Sequence, residues 1–319
     1  MSRPLLLAYR ALGLGDLLTA VPALRALARA FPDHRRVLAT PQALAPLAEL
    51  SGAVEEVADA TALAPLPAAL HRADVAVNLH GRGPQSHAVL RATAPRRLVA
   101  FASGEFEGPR WRPGEHEVAR WCRMLAESGI PADPGDLDLP RPPWPAPSAA
   151  AGATLLHPGA ASGARRWPPG RWAAVARAEL AAGRPVAITG GPSERPLALR
   201  IARAGGVAPE RVLAGRTDVA TLAAAVAAAG RVVCGDTGVA HLATAFGTPS
   251  VVLFGPVSPA EWGPPTPPGQ PGRERHRALW AGRRGDPHGD TPDPGLLEIG
   301  PREVSAALDA LVCPLERTG

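Results

Sequence analysis

Residues 232–256, VVCGDTGVAHLATAFGTPSVVLFGP, place a helix pattern of small residues between two short apolar runs. The apolar runs, Val232 to Cys234 and Ser250 to Phe254, predict buried strands. Val239 to Phe246 predicts the helix between them. A strand, a helix and a second strand in this order form a unit of a parallel sheet, so we expect an α/β fold.

The polar turn of this stretch directly follows its first strand and holds Asp236, Thr237 and Gly238. Parallel α/β sheets bind ligands at the carboxyl ends of their strands, and a helix N-terminus attracts phosphate. Aspartate and threonine are also common helix caps. The turn therefore indicates either a phosphate site or an ordinary capped helix.

The composition favours acidic ligands. The chain has 319 residues, enough for two domains, and 34 basic residues against 29 acidic ones, all of the basic ones arginine. A net charge of +5 suits phosphates or an anionic membrane surface. Only 4% of the residues are aromatic and none interleave with a basic block, which argues against a nucleic-acid partner.

Cysteine spacing and hydropathy predict a cytoplasmic protein. Cys122, Cys234 and Cys313 are far apart, which fits ordinary buried thiols rather than a disulfide framework or a metal site. The first apolar run, Leu5 to Leu7, is too short for a signal peptide, and no run approaches membrane-spanning length. The sequence also allows peripheral contact of the protein with the inner membrane surface.

Polar residues follow two predicted strands of the first half. Gly13, Gly15 and Asp16 come after the first strand, but Leu18 stands where a dinucleotide fingerprint needs its third glycine. Asp16 is therefore a candidate functional carboxylate, or a first-turn charge favoured by the helix dipole. His80 and Arg82 follow a later strand, where a histidine can equally be structural. The predicted strands are Pro4 to Tyr9, Arg36 to Thr40, Ala73 to Leu79 and Leu98 to Ala102, and the predicted helices are Pro41 to Leu50 and Gly114 to Gly129.

Proline-rich residues 131–153 read as a semi-rigid linker. We therefore expect domains at 1–148 and 149–319. Asp136 and Asp138 form an Asp-x-Asp pair, a metal-binding signature of some sugar-transfer enzymes. The pair lies in the linker and away from any predicted strand end, so we expect no metal site.

The second half repeats the pattern of strands ending in polar loops. His157 and Gly159 end the strand over Thr154 to Leu156, and the next loop carries Arg165 and Arg166. Guanidinium groups pair bidentately with phosphate oxygens, so this loop suits a diphosphate; a solvated basic loop is the alternative. Further turns are predicted at Gly190 and at Gly215, Arg216 and Thr217, and further strands over Pro185 to Thr189 and Arg211 to Leu213. Helices are predicted from Pro169, over Thr221 to Ala229 and over Pro301 to Leu311. The chain from Glu261 through Pro294 is predicted to be a loop.

Several separated motifs resemble glycosyltransferase family 9, the heptosyltransferase family. They are GLGDLLTAVPAL, NLHGRG and HEVARW in the first half, and HPGAASGARRWPPGRW, GGPSE, LAGRTDVATLAAAVAAA and CGDTGVAHLATAFGTPSVVLFGPVSP in the second. The resemblance implies the GT-B fold, in which two Rossmann-like domains with parallel sheets face each other across a cleft. It implies an N-terminal acceptor domain and a C-terminal nucleotide-sugar domain, with the final helix packing back towards the first.

The resemblance also implies roles for the candidate residues. Asp16 matches the family's general base, and Arg165 stands where the family commonly has a lysine that contacts the donor diphosphate. The donor-binding residues implied are His157, Gly159, Arg165, Arg166, Gly190, Gly215, Arg216, Thr217, Asp236, Thr237, Gly238 and His241. The acceptor-binding residues implied are Gly13, Gly15, His80 and Arg82.

The expected function is inverting, metal-independent transfer of a sugar from a nucleoside diphosphate to an acceptor hydroxyl, without a cofactor. The acceptor is a cell-surface glycan or a small-molecule natural product. Two alternatives share the fold: a nucleotide-sugar epimerase and a non-catalytic nucleotide-sugar binding protein. Formation of a new glycoside distinguishes the transferase from the epimerase.

Overall fold

The computed structural model describes residues 3–265 and 275–311. The chain divides into two compact units, Met1–Pro140 and Arg141–Gly319, and each contains one five-stranded parallel sheet. The α/β fold with two Rossmann-like halves is therefore confirmed. The boundary expected after residue 148 and the separate binding roles of the two domains stay predictions.

The sheet of the first unit has the spatial order β3-β2-β1-β4-β5. Its central strands β1 and β4 are buried along their whole length, as their apolar sequences require. The strands are β1 (Leu5–Tyr9), β2 (Arg35–Thr40), β3 (Glu56–Asp59), β4 (Val75–Asn78) and β5 (Arg97–Val99). The helices are α1 (Leu14–Thr19), α2 (Val21–Ala30), α3 (Ala45–Leu50), α4 (Gln85–Ala92) and α5 (Glu117–Glu127).

The sheet of the second unit has the order β10-β9-β8-β6-β7. The strands are β6 (Thr154–His157), β7 (Val186–Ile188), β8 (Arg231–Gly235), β9 (Ser250–Phe254) and β10 (His276–Trp280). The helices are α6 (Pro169–Ala181), α7 (Arg195–Gly205), α8 (Val219–Ala228), α9 (Gly238–Ala245), α10 (Pro259–Trp262), α11 (Pro294–Glu298) and α12 (Pro301–Asp309).

Two buried tryptophans join the helices of the second unit. The rings of Trp167 and Trp172 meet edge to face, with centroids 5.3 Å apart. Trp167 Nε1 donates to the carbonyl of Ile299 at 3.0 Å, which fixes the segment between α11 and α12. Helix α12 packs against α6 and β9. Its expected packing against the first domain stays a prediction, and residues 312–319 lie outside the described part.

The prediction of a strand over Arg211 to Leu213 is wrong. Val212 forms only an isolated bridge to Ile188, because the preceding 3₁₀ turn, Pro209–Arg211, leaves too little extended backbone. The prediction of a continuous loop from Glu261 to Pro294 is also wrong, since β10 lies within it. This edge strand is only partly buried and carries His276 and Arg277, so it lacks the apolar run that marks a central strand.

Strand β3 and helices α4, α10 and α11 were also not predicted. Strand β3 has charged ends, Glu56 and Asp59, and lies at the edge of its sheet. Residues 266–274, also in the predicted loop, lie outside the described part.

The linker aspartate Asp136 is held by arginines. Its Oδ1 is 2.6 Å from Arg25 Nη1 and its Oδ2 is 2.7 Å from Arg29 Nη1. Both arginines lie on α2, so the Asp-x-Asp pair fastens the linker to the first unit. Within residues 3–265 and 275–311, no helix is long and apolar enough to cross a membrane.

Cys122 and Cys234 are free and buried, as expected. Burial raises the pKa of the Cys122 thiol to about 12 and also raises that of Cys234. Both thiols are therefore protonated at neutral pH and serve as small packing residues. Cys313 lies outside the described residues.

Candidate functional site

Each sheet has a point where the strand order reverses. In the first unit this point lies between β1 and β4, which pair with Tyr9 opposite Asn78. In the second it lies between β6 and β8, with His157 opposite Cys234. The chains leaving two such strands turn in opposite directions and open a crevice, which is where open α/β sheets bind ligands.

Asp16 is in the first turn of α1, at the end of the loop that follows β1. Its Oδ2 accepts the Gly13 N–H at 3.2 Å, and its Oδ1 is 3.3 Å from Arg10 Nη2. The side chain keeps 28% of its surface exposed. A carboxylate has about four lone-pair sites, so Asp16 is oriented by these contacts and still able to accept a proton.

Arg10, which sequence reasoning did not select, is the centre of this site. Its side chain is completely buried. Its guanidinium donates to the carbonyls of Asp16 and Leu79, and thus joins the loop after β1 to the end of β4. The only signal in the sequence was an arginine directly after an apolar strand, together with the HEVARW motif that supplies its partner Glu117.

His80 also lies at this switch point. Its ring stacks on Tyr9 with centroids 4.6 Å apart and planes 6° apart. Burial, and then the positive charge of Arg10, lowers the pKa of His80 to about 4, so the imidazole is neutral at neutral pH. Gly13 caps α1, Gly15 lies inside that helix, and Arg82 is exposed.

The second switch point combines Arg165 with the turn after β8. Arg165 Nη1 lies 3.7 Å from Asp236 Oδ2 and 3.4 Å from the Asp236 carbonyl oxygen, and Arg165 Nε lies 3.4 Å from Ser162 Oγ. All three distances exceed those of ordinary hydrogen bonds. The Arg165 guanidinium is thus close to the turn but loosely held.

Thr237 and Gly238 begin helix α9. Thr237 is at the N-cap position, yet its side chain makes no capping hydrogen bond. Helix α9 therefore begins directly after Thr237, as the capped-helix alternative expects, but the Thr237 side chain does not itself cap it. His241, one turn further along α9, meets Trp262 edge to face at 6.1 Å.

Asp236 is a buried carboxylate with an unusual proton affinity. Burial raises its pKa from an ordinary value of 3.8 to about 6, although nearby Arg165 opposes the change. Near neutral pH the ionised carboxylate is therefore held at a cost in folding free energy. Such a perturbed group in a crevice is typical of a functional site.

The ends of β6 and β7 are joined through Glu194, which the sequence analysis did not select. Glu194 Oε2 accepts the Gly191 N–H at 2.7 Å. A Cβ at Gly159 would lie 1.9 Å from Glu194 Oε1, so Glu194 keeps this position only beside glycine and would have to move for any other residue. His157 Nδ1 is 3.0 Å from Thr189 Oγ1, and burial lowers the pKa of His157 while Glu194 opposes it.

The remaining candidates line the same sheet edge. Gly215, with φ +71°, donates its N–H to the Gly190 carbonyl at 2.9 Å and so joins the two turns. Arg216 and Thr217 follow on the turn before α8. Arg166 donates to the Ala160 carbonyl at 3.0 Å and lines a cavity of about 520 Å³ with Glu194 and Arg200.

Two Rossmann-like units with these sheets have the GT-B architecture of glycosyltransferases, as comparison with solved structures shows. The sequence model of glycosyltransferase family 9 (heptosyltransferase) matches residues 109–271, about half of the chain. This chain therefore belongs to glycosyltransferase family 9, and it is a glycosyltransferase. A search of curated proteins found no match.

Three solved structures share the fold along nearly the whole chain. A family 9 glycosyl transferase from Veillonella parvula superimposes with a TM-score of 0.73 at 17% identity, covering 97% of both chains. E. coli ADP-heptose lps heptosyltransferase II gives 0.69 at 20% identity, covering 96% of this chain and 98% of that one. E. coli heptosyltransferase WaaC with ADP gives a TM-score of 0.70 at 19% identity, covering 95% of this chain and 98% of that one.

The raised pKa of Asp236 predicts a pH-dependent gain in stability for Asp236→Asn. The folded protein binds the Asp236 proton more tightly than the unfolded chain, so the penalty grows as pH rises from about 4 through 6. A pKa difference of about two units corresponds to about 3 kcal/mol, so the variant should be more stable by about that amount at pH 8. Denaturant unfolding at pH 5 and pH 8 measures this difference.

Asp218→Asn is the matched control. Asp218 caps α8 by accepting the Thr221 N–H at 2.8 Å, and its hydrogen bonds to Thr221 lower its pKa. Its ionised form therefore stabilises the fold at pH 8, and the variant should gain nothing there. An equal gain for Asp236→Asn at both pH values would contradict the assignment of the penalty to the ionised carboxylate.

Proposed function

We propose that this glycosyltransferase moves a sugar from a nucleoside diphosphate sugar to an acceptor hydroxyl with inversion and without a metal ion. The second unit binds the donor and the first unit supplies the base. The observation that carries the proposal is the loosely held Arg165 guanidinium beside the N-terminus of α9. The acceptor is a cell-surface glycan or a small-molecule natural product.

The donor diphosphate is assigned to the switch point of the second unit. Arg165 has hydrogen-bonding capacity left by its long contacts, and a guanidinium fits phosphate oxygens bidentately. The N-terminus of α9 supplies backbone N–H groups and the positive end of a helix dipole. Together they favour the charge that develops on the leaving nucleoside diphosphate.

Asp16 is the proposed general base. The acceptor oxygen forms a bond to the anomeric carbon, the bond from that carbon to the diphosphate oxygen breaks, and the hydroxyl proton passes to the Asp16 carboxylate. Attack opposite the leaving group inverts the anomeric centre. Two observations support this role: the Asp16 carboxylate is oriented by Gly13 and Arg10, and it is partly exposed.

Gly190, His157, Gly159, Gly215, Arg216, Thr217 and Arg166 are proposed as further donor-side residues. They support a nucleotide-binding surface because their turns meet at the carboxyl ends of β6 and β7. Gly13, Gly15, His80 and Arg82 are proposed for the acceptor side. Because two E. coli neighbours are described with ADP or as ADP-heptose transferases, ADP and ADP-sugars are the first probes to test.

Arg165→Ala should weaken binding of ADP, or of the nucleoside diphosphate that gives the largest thermal shift, by about 1.5–3 kcal/mol. This is the range for a hydrogen bond to a charged group. Arg165→Lys should recover part of the loss, because it keeps the charge but not the bidentate fork. Titration calorimetry measures the affinities, with exposed Arg203→Ala on α7 as the control. Equal affinity of wild type and Arg165→Ala would contradict diphosphate binding by Arg165 and favour the alternative of a solvated basic loop.

Asp16→Asn should lower turnover by about 10²-fold or more, because a general base contributes roughly 10²–10⁴-fold. Donor affinity should stay close to that of the wild type. The measurement follows the new glycoside by mass spectrometry, which also separates transfer from epimerisation of the donor. Asp33→Asn, an exposed aspartate of the same unit, is the control. Normal turnover in a folded Asp16→Asn variant would remove Asp16 from this role.

Transfer should persist in excess EDTA. Arg165 and the α9 N-terminus supply positive charge at the diphosphate, and both carboxylate oxygens of Asp136 contact arginines. The test compares transfer rates without EDTA, with EDTA, and with EDTA followed by excess Mg²⁺ or Mn²⁺. Loss in EDTA with recovery on addition of metal would overturn metal independence and point first to Asp236 as the ligand.

A further inference from the structure

Glu117 is a buried carboxylate that faces the same guanidinium as Asp16. It is the first residue of α5, and its side chain is almost fully buried. Its Oε1 lies 3.0 Å from Arg10 Nη2 and accepts Trp121 Nε1 at 2.8 Å. Its Oε2 accepts from Arg120. Both carboxylate oxygens of Glu117 thus accept hydrogen bonds.

Glu117 remains ionised in this environment. Burial by itself would raise the pKa of Glu117, but Arg10 and Arg120 together hold it below its usual value. The local group therefore contains two positive charges, Arg10 and Arg120, and two negative ones, Asp16 and Glu117. Because Arg10 is buried, solvent screens these interactions poorly.

One nitrogen of Arg10 serves both carboxylates. Arg10 Nη2 is 3.3 Å from Asp16 Oδ1 and 3.0 Å from Glu117 Oε1. It also donates to Thr19 Oγ1 at 3.2 Å, so three acceptors share its two protons. The negative charge of Glu117, 3.0 Å from Arg10 Nη2, partly offsets the field of Arg10 at Asp16. A proton acceptor benefits from this offset, since an uncompensated neighbouring positive charge would weaken it as a base.

Two further titratable groups next to Arg10, His80 and Tyr9, do not carry charge at neutral pH. His80, which follows β4, is neutral there because its pKa is lowered to about 4. Tyr9 at the end of β1 is protonated, because burial raises its pKa to about 12. From α5, Trp121 places its ring 4.9 Å from the Arg10 guanidinium. Glu117 contacts Arg10 directly, and Arg120 in turn contacts Glu117.

We propose that Glu117 is a positioning residue that sets the proton affinity of Asp16 by offsetting part of the positive charge of Arg10. This inference rests on the proposed role of Asp16 as general base. It assigns the buried Arg10–Glu117 pair a function beyond fastening α5 to the end of β1. The pair orients Asp16 and keeps it basic enough to accept the acceptor proton.

The test measures the protonation of Asp16 directly, without substrate. Carboxyl carbon NMR titration follows the Asp16 signal, which is identified by its absence from Asp16→Asn. In Glu117→Gln the uncompensated charge of Arg10 should move the midpoint of the Asp16 titration to lower pH by about 0.5 pH unit or more. In the double variant Arg10→Gln/Glu117→Gln, which removes the positive neighbour as well, the midpoint should move to higher pH.

Two further variants separate charge from shape. Glu117→Asp keeps the negative charge and should recover most of the wild-type midpoint. Glu115→Gln is the matched control, because Glu115 lies two residues earlier and pairs with Arg123 at 2.7 Å. The midpoint of the Asp16 titration in Glu115→Gln should equal that of the wild type. The acid limb of the pH–rate profile of glycoside formation should follow the NMR midpoints, and kcat of Glu117→Gln should fall about two- to five-fold.

A lowered Asp16 midpoint in Glu117→Gln that Glu117→Asp restores supports the inference, since a merely structural role of Glu117 would not depend on its charge. If Glu117→Gln fails to fold because Arg10 lacks a partner, Arg10→Gln is compared with the double variant, and the Asp16 midpoint should be lower in the double variant because only that variant lacks the Glu117 charge. An unmoved or raised midpoint in Glu117→Gln, or equal midpoints in Arg10→Gln and the double variant, with Asp16→Asn inactive, overturns the inference and leaves the proposed function intact. An active Asp16→Asn overturns the base role and this inference with it.

Discussion

Parallel pairing of strands is the constraint on which both candidate sites depend. In each unit all strands run the same way, so every loop that leaves a carboxyl end emerges at one edge of the sheet. The two reversals of strand order then select positions on that edge, beside Tyr9 in the first unit and His157 in the second. The candidate residues differ between the two units, but the same backbone geometry places them.

Arginine is the chain's sole basic side chain, and it is used in two distinct ways. Arg10 is buried, hydrogen-bonded and paired with two carboxylates, so it works as a rigid part of the first unit. The side-chain contacts of Arg165 with the residues that the structure describes are long, and we propose that it binds the donor diphosphate. A lysine could not replace Arg10, since a single ammonium cannot span the Asp16 and Leu79 carbonyls and Glu117 together.

Much of the fold could be predicted from local patterns, and the errors have physical causes. Buried strands such as β8 and β9 are continuous apolar runs, and this signal survives without tertiary information. Edge strands β3 and β10 are half exposed and carry charged residues, so their sequences resemble loops. The strand expected over Arg211 to Leu213 has an apolar run, but only Val212 forms a bridge to the sheet.

The sequence by itself determined the fold class, the family and the residues at strand ends, because periodicity and short motifs are local properties. Only the tertiary structure revealed that Arg10 joins Asp16 to Glu117, 107 positions away from Arg10 in the chain. It also showed that Glu194 fills the space left by Gly159. Such contacts arise when separate loops meet at a sheet edge, and the strand order that brings them together is a property of the folded chain.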